Sequence, residues 1–403
     1  MAQTPKKPKR KKPARKAAPP LGRPPVTEIS AEPALCFVGE CAHRLFGLSP
    51  SDRLRRQFAR EGVSREIKPE DAATYAGPII VIRADAAIDQ PLIPILARRP
   101  SFALLADGNE RLAVAANVRS KDAVRLIAHF TGQGDMPELL ARAPSELDAA
   151  FWKGLRKKET PYAMQVREEA AAAWRIFMGT YKGATDLVTK HVWPVPAFHA
   201  TQYLAPRGIS PNMVTLVGAI CTVLAFWLFW RGYYWPGIIA AWAMTFLDTV
   251  DGKLARTTLT SSKWGDVFDH GIDLLHPPFW YAAWAIGLGA VGRALSEQMF
   301  WWTLAAILAG YVLQRIIEGI SIAKLGLEIH IWRPIDTFFR QITARRNPNL
   351  ILLTLSLLVG RPDWGLIAVA VWTVVCLVLH GIQLLQAFAA SRAGPLVSWM
   401  AKR

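Results

Sequence analysis

The strongest constraint on the fold is the uneven distribution of apolar residues along the 403-residue chain. Up to about Trp193 the sequence is typical of a water-soluble protein, whereas from Met213 onward long apolar stretches alternate with short polar connections. A helix needs about 20 consecutive apolar residues to cross the hydrocarbon core of a bilayer. The sequence therefore predicts a soluble N-terminal region followed by an α-helical polytopic membrane domain that lies in a lipid bilayer.

Six segments are predicted to form transmembrane helices. They begin at Met213, Pro236, Val267, Phe300, Leu350 and Leu366. The fifth segment, LILLTLSLLV, is short for a complete crossing. Six crossings would place both termini on the same side of the membrane.

Lysine and arginine residues cluster on the side of the membrane that holds the termini. They include most of the charges in the loop from Lys324 to Arg346, together with Arg392, Lys402 and Arg403. Because cytoplasmic loops carry an excess of positive charge, this side is predicted to be cytoplasmic. We expect an integral protein of a bacterial inner membrane, with the termini and the active site in the cytoplasm.

The chain begins with a basic tail. Residues 1–26 contain nine of the lysines and arginines and no acid, within a formal net charge of +17. Such a segment is predicted to be disordered, and its charge suits either weak attraction to anionic lipid headgroups or simple solvation. A nucleic-acid partner is not expected, because the rest of the chain has the composition of a membrane protein.

Residues 27–150 are predicted to form a soluble α/β domain. The runs ALCFVG, PIIVIRADAAID, SFALLAD and LAVAANV favour strands, and SPSDRLRRQFAREG, DQPLIPILARR and SKDAVRLIAHF favour helices. Residues 151–204 are predicted to be a linker that contains a helix over Gln165–Met178. An interfacial segment follows in which Trp193, Phe198 and Tyr203 suit the headgroup region. The membrane domain is predicted to span residues 205–403.

Four aspartates stand at the end of one apolar segment and the start of the next. Asp248 and Asp251 are spaced i,i+3, and Asp269 and Asp273 are spaced i,i+4, so each pair lies on one face of its own helix. An antiparallel hairpin of these helices would aim both pairs into one pocket. Converging carboxylates repel one another, and oxygen ligands without His or Cys favour Mg²⁺ or Mn²⁺.

The residues around these aspartates suit a diphosphate ligand. Gly252 and Ala255 share the helix face of Asp248 and Asp251 and leave room for a ligand to approach the backbone. Arg256 can supply positive charge to phosphates or balance the acids.

Eight positions from Asp248 to Asp273 fit the pattern D-x2-D-G-x2-A-R-x8-G-x3-D-x3-D without substitution. In this pattern the chain resembles the CDP-alcohol phosphotransferases, and SPNMVT at the entry to the first span is similar to a further motif of that family. The resemblance implies that Asp248, Asp251, Asp269 and Asp273 bind one or two metal ions, with Asp273 also the general base. It further implies that seven residues contact the nucleotide: Asn212, Thr215, Asp248, Gly252, Ala255, Arg256 and Gly265.

The function implied by the resemblance is transfer of a phosphoalcohol group from a CDP-alcohol to an acceptor hydroxyl, with release of CMP, in phospholipid synthesis. The leading donor is CDP-diacylglycerol, and the acceptor is a polar alcohol or its phosphate. One alternative is delivery of a CDP-activated headgroup made by the fused soluble domain. A second alternative is a nucleotide-binding pseudoenzyme or scaffold.

Several features of the membrane half leave alternatives open. Arg345 and Arg346 either anchor the cytoplasmic side or bind a phosphate on the acceptor. Arg315 and Glu318 either pair with each other or contact substrate. A homodimer is also implied by the resemblance, and small residues on the first span permit close helix approach. These residues are Gly218, Ala219 and Ala225.

The soluble domain faintly resembles sugar-phosphate nucleotidyltransferases, in which a G-x-G-x-R-L loop binds the nucleotide. The corresponding residues here are Glu40 to Leu45, so both glycines are missing and a carboxylate would oppose a triphosphate. Glycine is needed in such a loop because backbone amides must approach phosphate closely. The domain is therefore predicted to be catalytically inactive.

Overall fold

The computed structural model of the chain describes residues 32–108, 110–147, 154–155, 161–261 and 263–401. At residues 263–264, 266–270 and 272 it describes the backbone alone. The predicted basic tail lies outside these ranges. The predicted domain boundaries stay predictions.

The soluble region is built on a mixed five-stranded sheet with the order β1-β2-β5-β4-β6. Strands β1 and β2 run parallel, as do β4 and β6, and β5 runs antiparallel to both of its neighbours. A separate antiparallel pair is formed by β3 and β7. The seven strands are β1 Ala34–Val38, β2 Ile79–Arg83, β3 Ala86–Ile88, β4 Phe102–Leu105, β5 Ala113–Val118, β6 Leu140–Arg142 and β7 Ala163–Gln165.

Helices cover both faces of this sheet. Alternate residues of β2 point to opposite faces: Ile80 packs in the cluster that contains residues of α1 (Pro50–Ala59) and α2 (Ile93–Arg98). Ile79 packs in the cluster that contains residues of α3 (Ser120–Phe130). The predicted α/β architecture is thus confirmed, while the likeness to nucleotidyltransferases stays a prediction.

One predicted strand is two strands in the structure. The run PIIVIRADAAID breaks after Arg83, and β3 leaves the main sheet to pair with β7. The carboxylate of Asp85 at this break accepts hydrogen bonds from Arg83 at 3.0 Å and from Gln165 at 2.8 Å. These two bonds fix the turn that redirects the chain.

The linker differs from its prediction in two places. The predicted helix over Gln165–Met178 begins later, as α4 (Glu169–Gly179), because Gln165 still belongs to β7. Phe198 of α5 (Pro194–Leu204) was expected at lipid headgroups, but it is only 8% exposed. It packs edge-to-face on Phe177 and Phe46, with ring centroids 5.3 and 6.3 Å away. Phe198 therefore belongs to an apolar cluster that joins the soluble region to the membrane half.

Within the described residues, the membrane half contains six helices at the six predicted segments and one further short helix, α10. The helices are α6 Pro211–Trp230, α7 Tyr234–Thr257, α8 Lys263–Gly287, α9 Glu297–Leu325, α10 Pro334–Phe339, α11 Arg346–Leu358 and α12 Pro362–Ser391. Among the described residues, α6, α9 and α12 are long and apolar enough to cross a membrane. Six crossings stay a prediction, and α11, with 13 residues, is too short for a ~30 Å core.

The helices of the membrane half pack on a shared apolar core. Its largest fully buried side chain is that of Trp284 in α8, and Phe229, Ile307 and Leu366 join it from three other helices. Apolar side chains on the outside, such as Val223, remain exposed, as is expected of a surface that meets lipid.

The small residues of α6 pack within the chain. Gly218 and Ala225 are buried, and a Cβ added at Gly218 would lie 3.8 Å from Leu247 of α7. These residues therefore serve the α6–α7 contact. They do not support the predicted homodimer, which stays a prediction from the family resemblance.

We expect Gly287→Ala to destabilise the membrane half. A Cβ at this position would lie 1.9 Å from the carbonyl oxygen of Phe229, so the helix ends must move apart. Overpacking of this kind costs about 1–3 kcal/mol. Thermal unfolding of the purified protein in detergent measures the effect. Gly381→Ala in α12, where a Cβ would meet no atom within 4 Å, is the control and should unfold like the wild type.

Candidate active site

The candidate site is a cavity of about 710 Å³ between the membrane helices and the linker. Its walls come from α7, α8, α9, the residues around His330, the start of α11 and the linker residues 181–189. Asp248 lines it from α7 and Asp273 lines it from α8. The predicted hairpin thus brings one aspartate of each pair to a common space.

Arg346 connects these two aspartates. Its Nη2 donates to Asp248 Oδ2 at 2.5 Å, and its Nη1 donates to Asp273 Oδ1. The guanidinium stands at the first residue of α11, so that short helix is tied to both α7 and α8. Neither of the two alternatives for Arg346 included this contact with the acids of the site. Phosphate binding by Arg346 stays a prediction.

Asp251 lies behind the cavity wall and is 4% exposed. Its Oδ2 accepts a hydrogen bond from Thr215 Oγ1 at 2.6 Å. Its Oδ1 is buried without a hydrogen-bond partner among the described residues. Burial of a carboxylate oxygen without a hydrogen bond costs free energy of folding unless a proton or a cation binds it.

Gly252 shapes the cavity beside Asp248. A Cβ at Gly252 would lie 2.9 Å from Arg256 Nη2, so the absence of a side chain lets the Arg256 guanidinium fold back over α7. Ala255 and Lys253 also line this wall, and the Lys253 ammonium lies 3.0 Å from the centroid of the Tyr181 ring. This end of the cavity therefore combines positive charge with open backbone.

Besides Asp251, four of the predicted site residues are not part of the described lining of the cavity. Asn212 is exposed at the start of α6, and Gly265 is half-buried on α8. Thr215 reaches the site through its bond to Asp251. The side chain of Asp269 lies outside the described residues. The roles assigned to these residues stay predictions.

A second charged cluster forms the other end of the cavity around Glu318 of α9. Arg315 donates to Glu318 Oε2 at 2.9 Å, so the predicted pairing of these two residues is observed. Arg345 also donates to Glu318, and His330 Nε2 lies 3.0 Å from Glu318 Oε1. Burial lowers the pKa of His330 well below its usual value, so the ring is neutral at pH 7.

Arg340 is a feature of this cluster that sequence reasoning missed. Its Nε and Nη1 are buried and have no hydrogen-bond partner within the described ranges. Burial, followed by the charge of Arg345, lowers the pKa of Arg340 to about 9. An anion beside Arg340 would relieve both effects. In the sequence, Arg340 is part of a basic loop, and that pattern indicates only an anchor on the cytoplasmic side of the membrane.

The cavity has an excess of positive charge. Its described lining carries seven lysines or arginines and five aspartates or glutamates. These are Lys182, Lys253, Arg256, Arg315, Arg340, Arg345 and Arg346, against Asp186, Asp248, Asp273, Glu318 and Glu328. Such a surface attracts anionic ligands.

The carboxylates of α7 and α8 suit a hard divalent cation. Among the residues whose side chains are described, no three His, Cys, Asp or Glu side chains lie together as a complete metal site. The donors present are nevertheless carboxylate oxygens, and the unpartnered Oδ1 of Asp251 is available to a cation. Oxygen donors of this kind fit Mg²⁺ or Mn²⁺.

Comparison with known proteins assigns a family to the part of the chain that holds this cavity. Residues 208–344 match the family model described as CDP-alcohol phosphatidyltransferase. The chain carries a CDP-alcohol phosphatidyltransferase domain. The matched residues include both helices of the aspartate hairpin. Two of the three apolar helices, α6 and α9, lie within the matched residues, and together with α12 they mark the chain as an integral membrane protein.

Relatives of the CDP-alcohol phosphatidyltransferase domain include an archaetidylinositol phosphate synthase from Pyrococcus horikoshii. It is 44% identical over 73 residues, which cover 18% of this chain and 38% of that protein. A phosphatidylinositol phosphate synthase from Streptomyces avermitilis is 31% identical over 114 residues, 28% of this chain and 44% of that protein. A protein from Rubrobacter xylanophilus named bifunctional IPC transferase and DIPP synthase is 27% identical over 223 residues, 55% of this chain and 46% of that protein. The chain thus spans less than half the length of each of these relatives.

We expect Thr215→Val to weaken divalent-cation binding to the CDP-alcohol phosphatidyltransferase domain. The substitution removes the hydroxyl that orients Asp251, and loss of a group that holds a metal ligand typically lowers affinity on the order of tenfold. Titration of the purified protein with Mn²⁺, followed by electron paramagnetic resonance, measures the change. Thr215→Ser keeps the hydroxyl and is the control. Equal affinity of the valine and serine variants would contradict this role.

Proposed function

We propose that the protein is an integral membrane enzyme that transfers a phosphoalcohol group from a CDP-alcohol to an acceptor hydroxyl, with release of CMP, in phospholipid synthesis. The observation that carries the proposal is the meeting of Asp248 and Asp273 in a cationic cavity, with Asp251 directly behind it. These residues belong to the part of the chain that matches the CDP-alcohol phosphatidyltransferase family. The names of the relatives point to the same class of reaction.

Asp248, Asp251 and Asp269 would hold Mg²⁺ or Mn²⁺, and Asp273 would complete the acidic set. When bound, the cation would neutralise the diphosphate and stabilise the CMP leaving group. Thr215 holds Asp251 in place through its 2.6 Å hydrogen bond. Gly252 leaves space beside the backbone, where Arg256 can contact the diphosphate.

Asp273 would act as the general base. Its carboxylate lines the cavity, where it would remove the proton of the acceptor hydroxyl as that oxygen attacks the β-phosphorus. The new bond joins the acceptor oxygen to the β-phosphorus, and the bond between that phosphorus and the CMP oxygen breaks. Arg346 contacts the same carboxylate and would hold the Asp273 side chain where it faces the cavity.

The acceptor is proposed to carry a phosphate of its own. Arg340 supports this, since two of its buried nitrogen atoms lack partners among the described residues and Arg315 and Arg345 stand in the same wall. A phosphate there would accept hydrogen bonds from Arg340 while the acceptor hydroxyl faces Asp273. Two relatives are named synthases of inositol phosphate lipids, which agrees with a phosphorylated polyol acceptor.

The leading donor is CDP-diacylglycerol, a lipid that would reach the cavity from the bilayer. The cytoplasmic orientation, the six membrane segments, of which α11 crosses only in part, and the homodimer belong to this proposal. The exposed apolar face of α6, which includes Ile220 and Val223, offers a surface for either lipid or a second copy.

A second candidate function is delivery of a CDP-activated headgroup made by the soluble domain. It is favoured by the α/β domain that precedes the membrane helices and by the relative whose name gives it two activities. In this version the donor is polar and is made from CTP by the same chain.

We expect Asp273→Asn to abolish CMP release while metal-dependent nucleotide binding remains, because the base is lost and the remaining acids are retained. Asp248→Asn and Asp251→Asn should instead weaken nucleotide binding itself. CMP release and nucleotide binding are measured on the purified protein in detergent with Mg²⁺ or Mn²⁺. Asp71→Asn, at an exposed aspartate of the soluble domain, is the control. Normal turnover by Asp273→Asn would show that another group is the base.

We expect Arg340→Met to raise the KM for a phosphorylated acceptor about tenfold or more, since a hydrogen bond to a charged group is lost. The KM for the CDP-alcohol should not change. Methionine keeps the length of the side chain and removes a buried charge, so the variant should fold. An equal rise for phosphorylated and unphosphorylated alcohols would contradict a phosphate contact.

The same assay distinguishes the two candidate donors. Full-length protein is incubated with labelled CDP-diacylglycerol, CTP and a panel of polar alcohols and their phosphates, and the products are identified by mass spectrometry. A product that retains diacylglycerol supports the leading version. Consumption of CTP, with the label left in the donor, would instead favour the second candidate.

A further inference from the structure

Helix α1 of the soluble domain contacts the end of α7, the helix that carries Asp248 and Asp251. Arg53 and Arg56 of α1 and Arg60, which directly follows it, lie on one side of the helix, and each donates to a main-chain carbonyl at the end of α7 or in the turn that follows. Arg53 donates to Thr257, Arg56 to Thr258 at 3.0 Å, and Arg60 to Leu259 at 2.7 Å. Three consecutive carbonyls are thus bound by three arginines of another domain.

The end of α7 needs such partners. The last carbonyls of a helix have no partner within the helix and form the negative end of its dipole, so arginine side chains stabilise them. The turn also contains Leu259 with φ of +60°, a left-handed conformation that disfavours residues with a Cβ. Leu259 accepts the bond from Arg60, so the arginine holds a backbone conformation that leucine alone disfavours.

Helix α1 is itself held rigidly. Leu54 and Phe58, on its other side, are fully buried against the sheet, and Arg53 is only 4% exposed. The connection between α7 and α8 is short, since α7 ends at Thr257 and α8 begins at Lys263. A displacement of the turn would therefore move Asp273 relative to Asp248.

We propose that Arg53, Arg56 and Arg60 are positioning residues, through which the soluble domain sets the separation of the two aspartate pairs. The inference rests on the proposed function, because it concerns the carboxylates that would hold the divalent cation. It assigns the soluble domain a role in catalysis that needs no nucleotide chemistry of its own. The domain acts as a fixed support for the turn of the aspartate hairpin.

Two variants test this role in the full-length protein. Arg53→Met removes the buried contact. Arg56→Ala combined with Arg60→Ala removes the two exposed contacts and leaves the buried one, so folding is preserved even if Arg53→Met does not fold. Arg55→Ala is the matched control, because Arg55 extends from the same helix but pairs with Asp52 and Glu66 inside the soluble domain, each at 2.8 Å.

The readouts are the Kd for Mn²⁺ by electron paramagnetic resonance and the kinetics of CMP release. We expect the double variant to bind Mn²⁺ more weakly, on the order of tenfold, and to lose kcat by a similar factor. Its KM for the acceptor should stay unchanged, because the contacts that Glu318 makes with Arg315, His330 and Arg345 involve neither the turn nor α1. Arg55→Ala should match the wild type in all three measurements.

Leu259→Gly provides a rescue experiment. Glycine adopts positive φ readily, so the turn would keep its conformation without help from the arginines. We expect Leu259→Gly, added to the Arg56 and Arg60 double variant, to restore Mn²⁺ affinity. If the arginines only attach the soluble domain, Leu259→Gly will not restore it.

The outcomes separate this inference from the proposed function. Wild-type Mn²⁺ affinity and kcat in the double variant, with a functional wild type, would overturn the positioning role alone. A wild type that neither binds Mn²⁺ nor releases CMP from any CDP-alcohol would overturn the proposed function. Weaker Mn²⁺ binding with rescue by Leu259→Gly supports the positioning role.

Discussion

The bridge from Arg346 to Asp248 and Asp273 is the interaction on which the site depends. Carboxylates on two neighbouring helices repel each other when water is partly excluded, and a guanidinium between them offsets that repulsion. The residue enters from α11, a helix too short to cross a bilayer fully. Because α11 begins at the wall of the cavity, its first residue, Arg346, lies within reach of both aspartates.

A similar balance of charge organises the other end of the cavity. Glu318 on α9 is contacted by Arg315, Arg345 and the neutral ring of His330, so two guanidinium groups share one largely buried carboxylate. Breaking a buried ion pair leaves an uncompensated charge, which keeps such clusters in place. Arg340 stands beside this group and has no ion-pair partner among the described residues, and the local excess of positive charge follows from that. The two ends therefore differ in chemistry: carboxylates would face the proposed cation at one end, and guanidinium groups would face the proposed phosphate at the other.

The sequence predicted the helices of the membrane half and the meeting of its two aspartate-bearing helices, because apolar length and i,i+3 or i,i+4 spacing are local properties. It did not predict contacts between distant parts of the chain. The bond from Thr215 to Asp251 joins residues that are 36 positions apart, and the bond from Arg53 to Thr257 joins residues 204 positions apart. Phe198 was misplaced for the same reason, since an aromatic residue near a membrane suits lipid headgroups and an interdomain core equally well.

The structure of the soluble domain suits the proposed support of the α7–α8 turn better than it suits nucleotide binding. In the loop that a nucleotidyltransferase would use for phosphate, the backbone N–H of Arg44 donates to the Glu169 carboxylate at 3.0 Å. The Glu169 carboxylate thus occupies the backbone amide of Arg44 and would repel a phosphate at this position. Asp85 is likewise engaged by Arg83 and Gln165. The bonds to Glu169 and Gln165 join the domain to the linker, while the arginines at α1 face the membrane half. A rigid sheet behind α1 is what a support for the α7–α8 turn requires, and that requirement is independent of nucleotide binding.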